Sequence, residues 1–222
     1  MEQDELVIKT AAYIKNKFAG EGSGHDWWHI YRVWQNALYL AHHEPVDLQV
    51  VQLGALLHDI ADWKFNDGDE KAGEVAARNW LQSQHAAEVI IDRVCGIINE
   101  VTFKGAEVAT PVSSLEGKVV QDADRLDAIG AIGIARAFAY GGFKNREIYN
   151  PAEPPLLHQD FAAYKKNNGS SINHFYEKLL LLKDRMQTLT GKKLAEERHD
   201  FMQIFLNQFY EEWPMAENSS NV

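Results

Sequence analysis

The sequence predicts an all-α protein folded as a single domain. Three observations carry that prediction. Apolar residues recur on a 3.6-residue period through most of the chain, stretches rich in Gly and Pro cut it into helix-length pieces, and no β-hairpin signal, internal repeat or low-complexity block interrupts them. With 222 residues, a 45% hydrophobic fraction and six tryptophans, the chain is long enough and apolar enough for one large core.

Taken in order, residues 5–18 form the first predicted helix, with Leu6, Val7, Thr10, Ala11, Ile14, Lys17 and Phe18 on one period before Gly20-Glu-Gly-Ser-Gly24 breaks it. Asp26 is the predicted N-cap of a second helix running from Trp27 to about His42. That helix is apolar through Trp27, Ile30, Tyr31, Val33, Trp34, Leu38 and Leu40, yet it carries a polar stripe, His29–Arg32–Asn36, which His25 extends at the front. A polar stripe on a buried helix needs partners, and His29 with Arg32 suits a ligand and its support.

Pro45 ends this region, and a central helix is expected from about Asp47 to Asp62. Val50, Val51, Leu53, Ala55, Leu56, Leu57, Ile60, Ala61 and Trp63 leave it almost no solvated face, the mark of a buried helix. His58, Asp59 and Asp62 are nevertheless set into it, and on a helix all three converge on one side. A divalent metal would compensate their burial, and so would a hydrogen-bonded His–carboxylate pair. The dipeptide alone does not decide, because His-Asp recurs at 25–26 and at 199–200. The last of these, in the charged run Lys192 to Asp200, reads as a solvated helix face.

After a loop at 65–70, helices are expected at 71–83, around Ala72, Val75, Ala76 and Trp80, and at 86–99, around Val89, Ile90, Val94 and Ile97. Cys95 in the second reads as a small buried hydrophobe. A loop at 104–111 leads into a long buried helix from Ser114 to about Tyr140, built on Val119, Val120, Ala123, Leu126, Ile129, Ile132 and Ile134, with Gln121, Asp124 and Asp127 as a polar stripe. Gly130 and Gly133 each weaken a helix by about 1 kcal/mol relative to alanine, which implies close backbone packing or approach to a ligand there. Residues 141–171, with Pro151, Pro154 and Pro155, read as a long irregular cover. A helix from Ile172 to about Thr188, with the polar stripe His174–Lys178–Arg185, and a last helix from about Leu194 to Trp213, packing Phe201, Ile204, Phe205, Phe209 and Trp213, complete a domain spanning 1–213. Within it the metal-binding core is placed at about 20–140, the lid at 141–171 and the C-terminal helices at 172–213, and 214–222 is expected to be a disordered tail.

Composition narrows the function. A net charge of −10 argues against a nucleic-acid polymer, which demands a basic footprint, but not against a small phosphorylated substrate, because a bound metal brings its own positive charge. No segment approaches 18 uncharged apolar residues, so no membrane partner is expected. An acidic start unlike a signal peptide and a single cysteine point to the cytoplasm.

Three buried helices thus each offer polar groups where none is easily tolerated: His29, then His58 with Asp59, then Asp124. Two imidazoles and two carboxylates make a mixed nitrogen and oxygen set suited to Mn, Mg, Fe, Co, Ni or Zn. In this order the sequence resembles the HD-domain superfamily of metal-dependent phosphohydrolases, through His29-Ile-Tyr-Arg-Val33, Leu56-Leu-His-Asp-Ile60 and Gln121-Asp-Ala-Asp-Arg-Leu-Asp-Ala128. It looks closest to a bacterial branch with nucleotide pyrophosphohydrolase members, on Gly24-His-Asp-Trp27 and His174-Phe-Tyr-Glu-Lys-Leu179. The resemblance covers about residues 20–210 and implies a helical HD bundle with additional C-terminal helices.

The expected site follows. His29, His58, Asp59 and Asp124 hold one divalent metal, Mn or Mg before Fe, Co, Ni or Zn, and Asp62 orients or deprotonates the attacking water, a role the resemblance also implies, or else holds His58. Arg32 and Asp127 support the ligands, His25 and Lys64 meet substrate phosphates, and Lys178 and Arg146 are further substrate contacts. The expected reaction is hydrolysis of a nucleoside triphosphate to monophosphate and pyrophosphate. A 5'-nucleotidase or phosphodiesterase on the same site, a di-iron oxygenase and a non-catalytic regulatory module are the alternatives. Dinuclear members of the superfamily add two histidines between the His-Asp pair and the last Asp, where this chain has only His85, so one metal is favoured.

Overall fold

Among the residues that the computed structural model describes, 4–20, 26–61, 71–101, 108, 110–157 and 169–213, all regular structure is helical. In chain order the helices are α1 (Glu5–Lys17), α2 (Trp27–Ala41), α3 (Leu48–Leu57), α4 (Ala72–Ser83), α5 (Glu88–Val101), α6 (Leu115–Asp127), α7 (Gly130–Phe143), α8 (Ser171–Glu177) and α9 (Leu189–Glu212). Side-chain caps start many of them. Asp4, Asp26, Asp47, Ser114, Ser170 and Thr188 each accept a backbone N–H from the first turn that follows. Each such cap contributes about 1 kcal/mol.

The core forms around α3, whose Val50, Val51, Leu53, Leu56 and Leu57 are all fully buried. α1, α2, α5 and α6 pack around it. Ile30, Val33 and Leu40 of α2, Ile91, Val94 and Ile97 of α5, and Val119, Val120 and Leu126 of α6 fill the space between. α6 lies along α2 and meets α9 on another side. No helix among the described residues is long and apolar enough to cross a membrane.

The structure corrects several boundaries. α3 ends at Leu57, not at Asp62. In a continuing helix the Ala55 carbonyl would take the Asp59 N–H, but here it pairs with the His58 ring at 2.8 Å, and the Ile60 N–H turns back three residues to Leu57 at 3.0 Å. The expected helix from 114 to 140 is two helices. Ile129 is extended and Gly130 has φ +73°, a left-handed conformation natural to glycine, and this reverses the chain. A Cβ on Gly133 would stand 2.2 Å from the Ala128 carbonyl oxygen, so the close packing expected at these glycines is present.

The helix expected from 172 to 188 stops at Glu177 and continues as 3-10 turns at Leu179–Leu181 and Lys183–Arg185. The break is at Lys178, whose φ of −142° and ψ of −60° leave the helix, and buried groups of α6 fix where the 3-10 turns end. Arg125 donates to the Arg185 carbonyl, while Asp122 accepts the N–H groups of Gln187 and Thr188 at 3.0 and 2.7 Å. Thr188 then caps α9, which begins five residues earlier than expected. The buried stripe of α9 is Ala195, His199, Met202 and Leu206, so His199 faces inward, 8% exposed, rather than lying on a solvated face. Phe201 and Ile204, like Val75, Val89 and Ile132 on other helices, face outward instead of packing inside. Cys95 is buried as expected.

Candidate metal centre

His29 lies in the first turn of α2, where Asp26 anchors the backbone by accepting the His29 N–H at 2.8 Å. Its imidazole is 1% exposed, and Nδ1 stands 2.7 Å from Oδ2 of Asp127, the last residue of α6. A carboxylate only accepts, so this contact places the ring proton on Nδ1 and leaves a lone pair on Nε2. His58 caps the C-terminus of α3, with Nδ1 2.8 Å from the Ala55 carbonyl oxygen, again an acceptor only. Its Nε2 therefore also carries a lone pair.

These two Nε2 atoms stand 3.2 Å apart. Asp59 brings Oδ2 to 3.3 Å from His29 Nε2 and 3.6 Å from His58 Nε2. Asp124, on the side open to solvent, brings Oδ1 to 3.6 and 3.8 Å from the same nitrogens. Two lone pairs and two carboxylates converge, and the ring N–H groups all point outward. Such a set is mutually repulsive until a cation joins it. Donor atoms about 2.1 Å from one shared metal stand roughly 3–4 Å apart, and the distances between the two nitrogens and from each nitrogen to each carboxylate fall in that range. His29, His58 and Asp59 have donor atoms within 4.8 Å of one another, a single group of this kind among the described residues.

Behind His29 lies a second layer of charge. Arg32, one turn along α2, donates from Nε to Asp127 Oδ1 at 2.6 Å and from Nη2 to Oδ2 at 3.1 Å. Arg136 of α7 donates from Nη1 to the same Oδ2 at 3.0 Å. Burial alone would raise the Asp127 pKa, but hydrogen bonds from His29 and Arg32 and the Arg136 charge hold it well below the usual carboxylate range. Burial and the Arg136 cation press the His29 pKa down, yet the bond to Asp127, the bond that a protonated Nε2 would give to Asp59, and the Asp59 charge outweigh them and leave it raised. Asn36, the last member of the polar stripe, donates to the Ala123 carbonyl at 3.4 Å, so the whole stripe turns toward α6.

Three of the residues singled out in the sequence, His25, Asp62 and Lys64, lie outside the described residues. Arg146 follows α7, with its guanidinium 5.7 Å from the Tyr140 ring centre, and lines a polar cavity of about 420 Å³ together with Lys144, Glu147 and Glu153. Lys178 directly follows α8, its backbone N–H donating to His174 at 3.0 Å. Sequence reasoning missed Arg136 and Asp122. Arg136 stands nine residues beyond Asp127 across a chain reversal, a spacing that no helical period links. Asp122 was hidden in the run of acidic residues around Asp124, although its place on the opposite side of α6 was readable from helical spacing.

The family model for the HD domain matches residues 27–129. The Bacillus subtilis protein YpgQ, described as uncharacterised, is 38% identical over 215 residues, covering 96% of this chain and 97% of that one. A crystal structure of YpgQ in complex with ADP superposes with a TM-score of 0.74 at 37% identity, covering 94% of this chain and 98% of that one. An HD-superfamily hydrolase from Bacillus thuringiensis is 42% identical with a TM-score of 0.72, covering 94% and 97%. A Lactobacillus plantarum protein of solved structure is 37% identical with a TM-score of 0.86, covering 96% and 99%.

Proposed function

This chain belongs to the HD-domain superfamily, and we propose that within it the protein is a metal-dependent phosphohydrolase that cleaves a nucleoside triphosphate to a monophosphate and pyrophosphate. The observation that carries the reading is the convergence of His29 Nε2, His58 Nε2, Asp59 and Asp124, with Nδ1 of each ring turned away to its own acceptor. That donor set fits one divalent ion, and Mn or Mg suits its carboxylates, with Fe, Co, Ni and Zn as alternatives. A bound ion there supplies Lewis-acid polarisation of a phosphoryl oxygen and a more acidic water. The hydrolase named from Bacillus thuringiensis supports the reaction class, and the ADP complex of YpgQ supports a nucleotide as ligand.

This chain's own residues divide the remaining work. Asp127 and Arg32 hold the His29 ring, and the Ala55 carbonyl holds the His58 ring, so both imidazoles keep one tautomer. Asp62 takes the proton of the attacking water as oxygen adds to the α-phosphorus and the bond to the bridging α–β oxygen breaks. His25 and Lys64 hold the departing pyrophosphate, with Arg146 and Lys178 as further contacts. One buried thiol, Cys95, suits a cytoplasmic setting.

The deciding experiment is a product assay. Ribo- and deoxynucleoside triphosphates, with mono- and cyclic nucleotides as controls, are incubated with the protein and each metal, and the products are resolved. Pyrophosphate from triphosphates is expected. Orthophosphate from monophosphates would instead make the protein a nucleotidase, and no phosphate product with two irons bound per chain would overturn the hydrolase reading.

A further inference from the structure

Asp127 is a carboxylate with more partners than a histidine support requires. Its Oδ2 receives the His29 ring at 2.7 Å, Arg32 at 3.1 Å and Arg136 at 3.0 Å, while Oδ1 receives Arg32 at 2.6 Å. The side chain is 2% exposed, so little water competes for these oxygens. Arg32 comes from the same helix as His29 and moves with it. Arg136 comes from α7 and reaches back only because the chain reverses at Ile129 and Gly130. From there its Nη1 also meets the Asp127 carbonyl oxygen at 3.4 Å, so one guanidinium spans the main chain and the side chain of a single residue. Across the reversal, Arg198 of α9 donates to the Leu126 carbonyl and packs its stem against Gly130.

Without Arg136, Asp127 would keep the partners from α2 but lose the one that ties its carboxylate to its own backbone. The carboxylate would then be free to turn with Arg32, and the hydrogen bond that selects the His29 tautomer would turn with it. We propose that Arg136 is a positioning residue for the metal centre: it locks the Asp127 carboxylate so that His29 keeps its proton on Nδ1 and presents Nε2 to the metal. This rests on the metal-centre reading above and adds to it a residue from α7. Partners that orient a ligating histidine in this way typically change metal affinity by about 10- to 100-fold when removed.

The competing role for Arg136 is a purely structural one, tying the end of α6 to α7, and the test separates the two. Mn2+ affinity is measured by calorimetry on the full chain at one pH for wild type, Arg136→Gln and Arg136→Lys, with melting temperatures alongside. The metal-free proteins are labelled with 15N-histidine and read at an alkaline pH where the ring is neutral despite its raised pKa, and the His29 signal, assigned with His29→Asn, reports which ring nitrogen carries the proton. The expected result is binding about tenfold weaker in the glutamine variant, with His29 spread over both tautomers, and recovery of most of both in the lysine variant, which keeps a charged donor. Wild-type affinity and a pure Nδ1–H signal in Arg136→Gln overturn the proposal, whatever its melting temperature. An equal loss in both variants, with the tautomer unchanged, assigns the residue to the fold alone and also overturns it. If the glutamine variant does not fold, Arg136→Met takes its place in both measurements, and wild-type affinity with a pure Nδ1–H signal there refutes the proposal. A wild-type protein that takes up no Mn2+ or other divalent metal fails the metal-centre reading itself, a result distinct from each of these.

Discussion

Asp122 is fully buried, and its removal should cost the fold more than any single surface change. It accepts the Gln187 N–H at 3.0 Å, the Thr188 N–H at 2.7 Å and the Thr188 hydroxyl at 2.9 Å. Alanine at this position strands the Thr188 amide, which is buried at 3% exposure, and leaves the half-buried Gln187 amide to find water. A buried unsatisfied donor costs about 1–3 kcal/mol, and the hydroxyl adds about 1 kcal/mol more. Burial raises the Asp122 pKa against the hydrogen bonds that lower it, so relieving that desolvation returns part of the loss. The net expectation for Asp122→Ala is about 1.5–3.5 kcal/mol, or about 3–14 °C in melting temperature for a chain of this size. Asn is neutral and keeps one acceptor oxygen for Thr188, so Asp122→Asn should lose only about 1–2 kcal/mol. Urea unfolding followed by circular dichroism measures both. An alanine variant within 1 kcal/mol of wild type would refute the claim that this carboxylate holds the start of α9.

Three further outcomes are expected. Gly191→Ala, a change that ordinarily stabilises a helix by about 1 kcal/mol, should destabilise this one by about 1–3 kcal/mol, because the new Cβ would stand 2.6 Å from Asp122 Oδ2 and 2.7 Å from Thr188 Oγ1, both pinned by hydrogen bonds; a rise in melting temperature would contradict it. The raised pKa of His29 gives the metal-free protein a stabilisation that is complete below about pH 6.5 and fades as pH rises through the folded value, whereas a metal needs the ring unprotonated. The melting-temperature gain on adding Mn2+ should therefore be larger at pH 8 than at pH 6, and an equal gain at both would count against His29 as a ligand. Asp62→Asn should keep its metal and lose about 10²–10⁴-fold in turnover; loss of the metal would make Asp62 a ligand or a structural group, and unchanged turnover would remove it from the mechanism.

Much of this molecule was determined by the sequence alone. The helical class followed from periodicity, because a buried stripe every 3.6 residues is a local property of the chain. Asp26 was readable as a cap, and α3 as the buried centre, for the same reason: each depends on neighbours within a few positions. His29, His58, Asp59 and Asp124 stood out because polar groups on otherwise apolar helices are costly wherever those helices pack, and the fold brings all four within 3.8 Å of a shared partner nitrogen. What the tertiary structure decided is where helices stop and which way their faces turn. Asp122 and Arg125 of α6 hold the chain at 185–188, which ends the 3-10 turns there and sets where α9 begins. The left-handed Gly130 converts one predicted helix into two and swings Arg136 back onto Asp127. The inner face of α9 is set by the surface it covers, which buries His199 and leaves Phe201 and Ile204 outside. For the first and last of these the deciding partner is distant along the chain, 66 residues for Asp122 and Thr188, while Arg136 reaches Asp127 over nine residues that no helical period links. A local pattern carries the energy of local contacts, and these choices rest on hydrogen bonds and burial that exist only once distant segments have met.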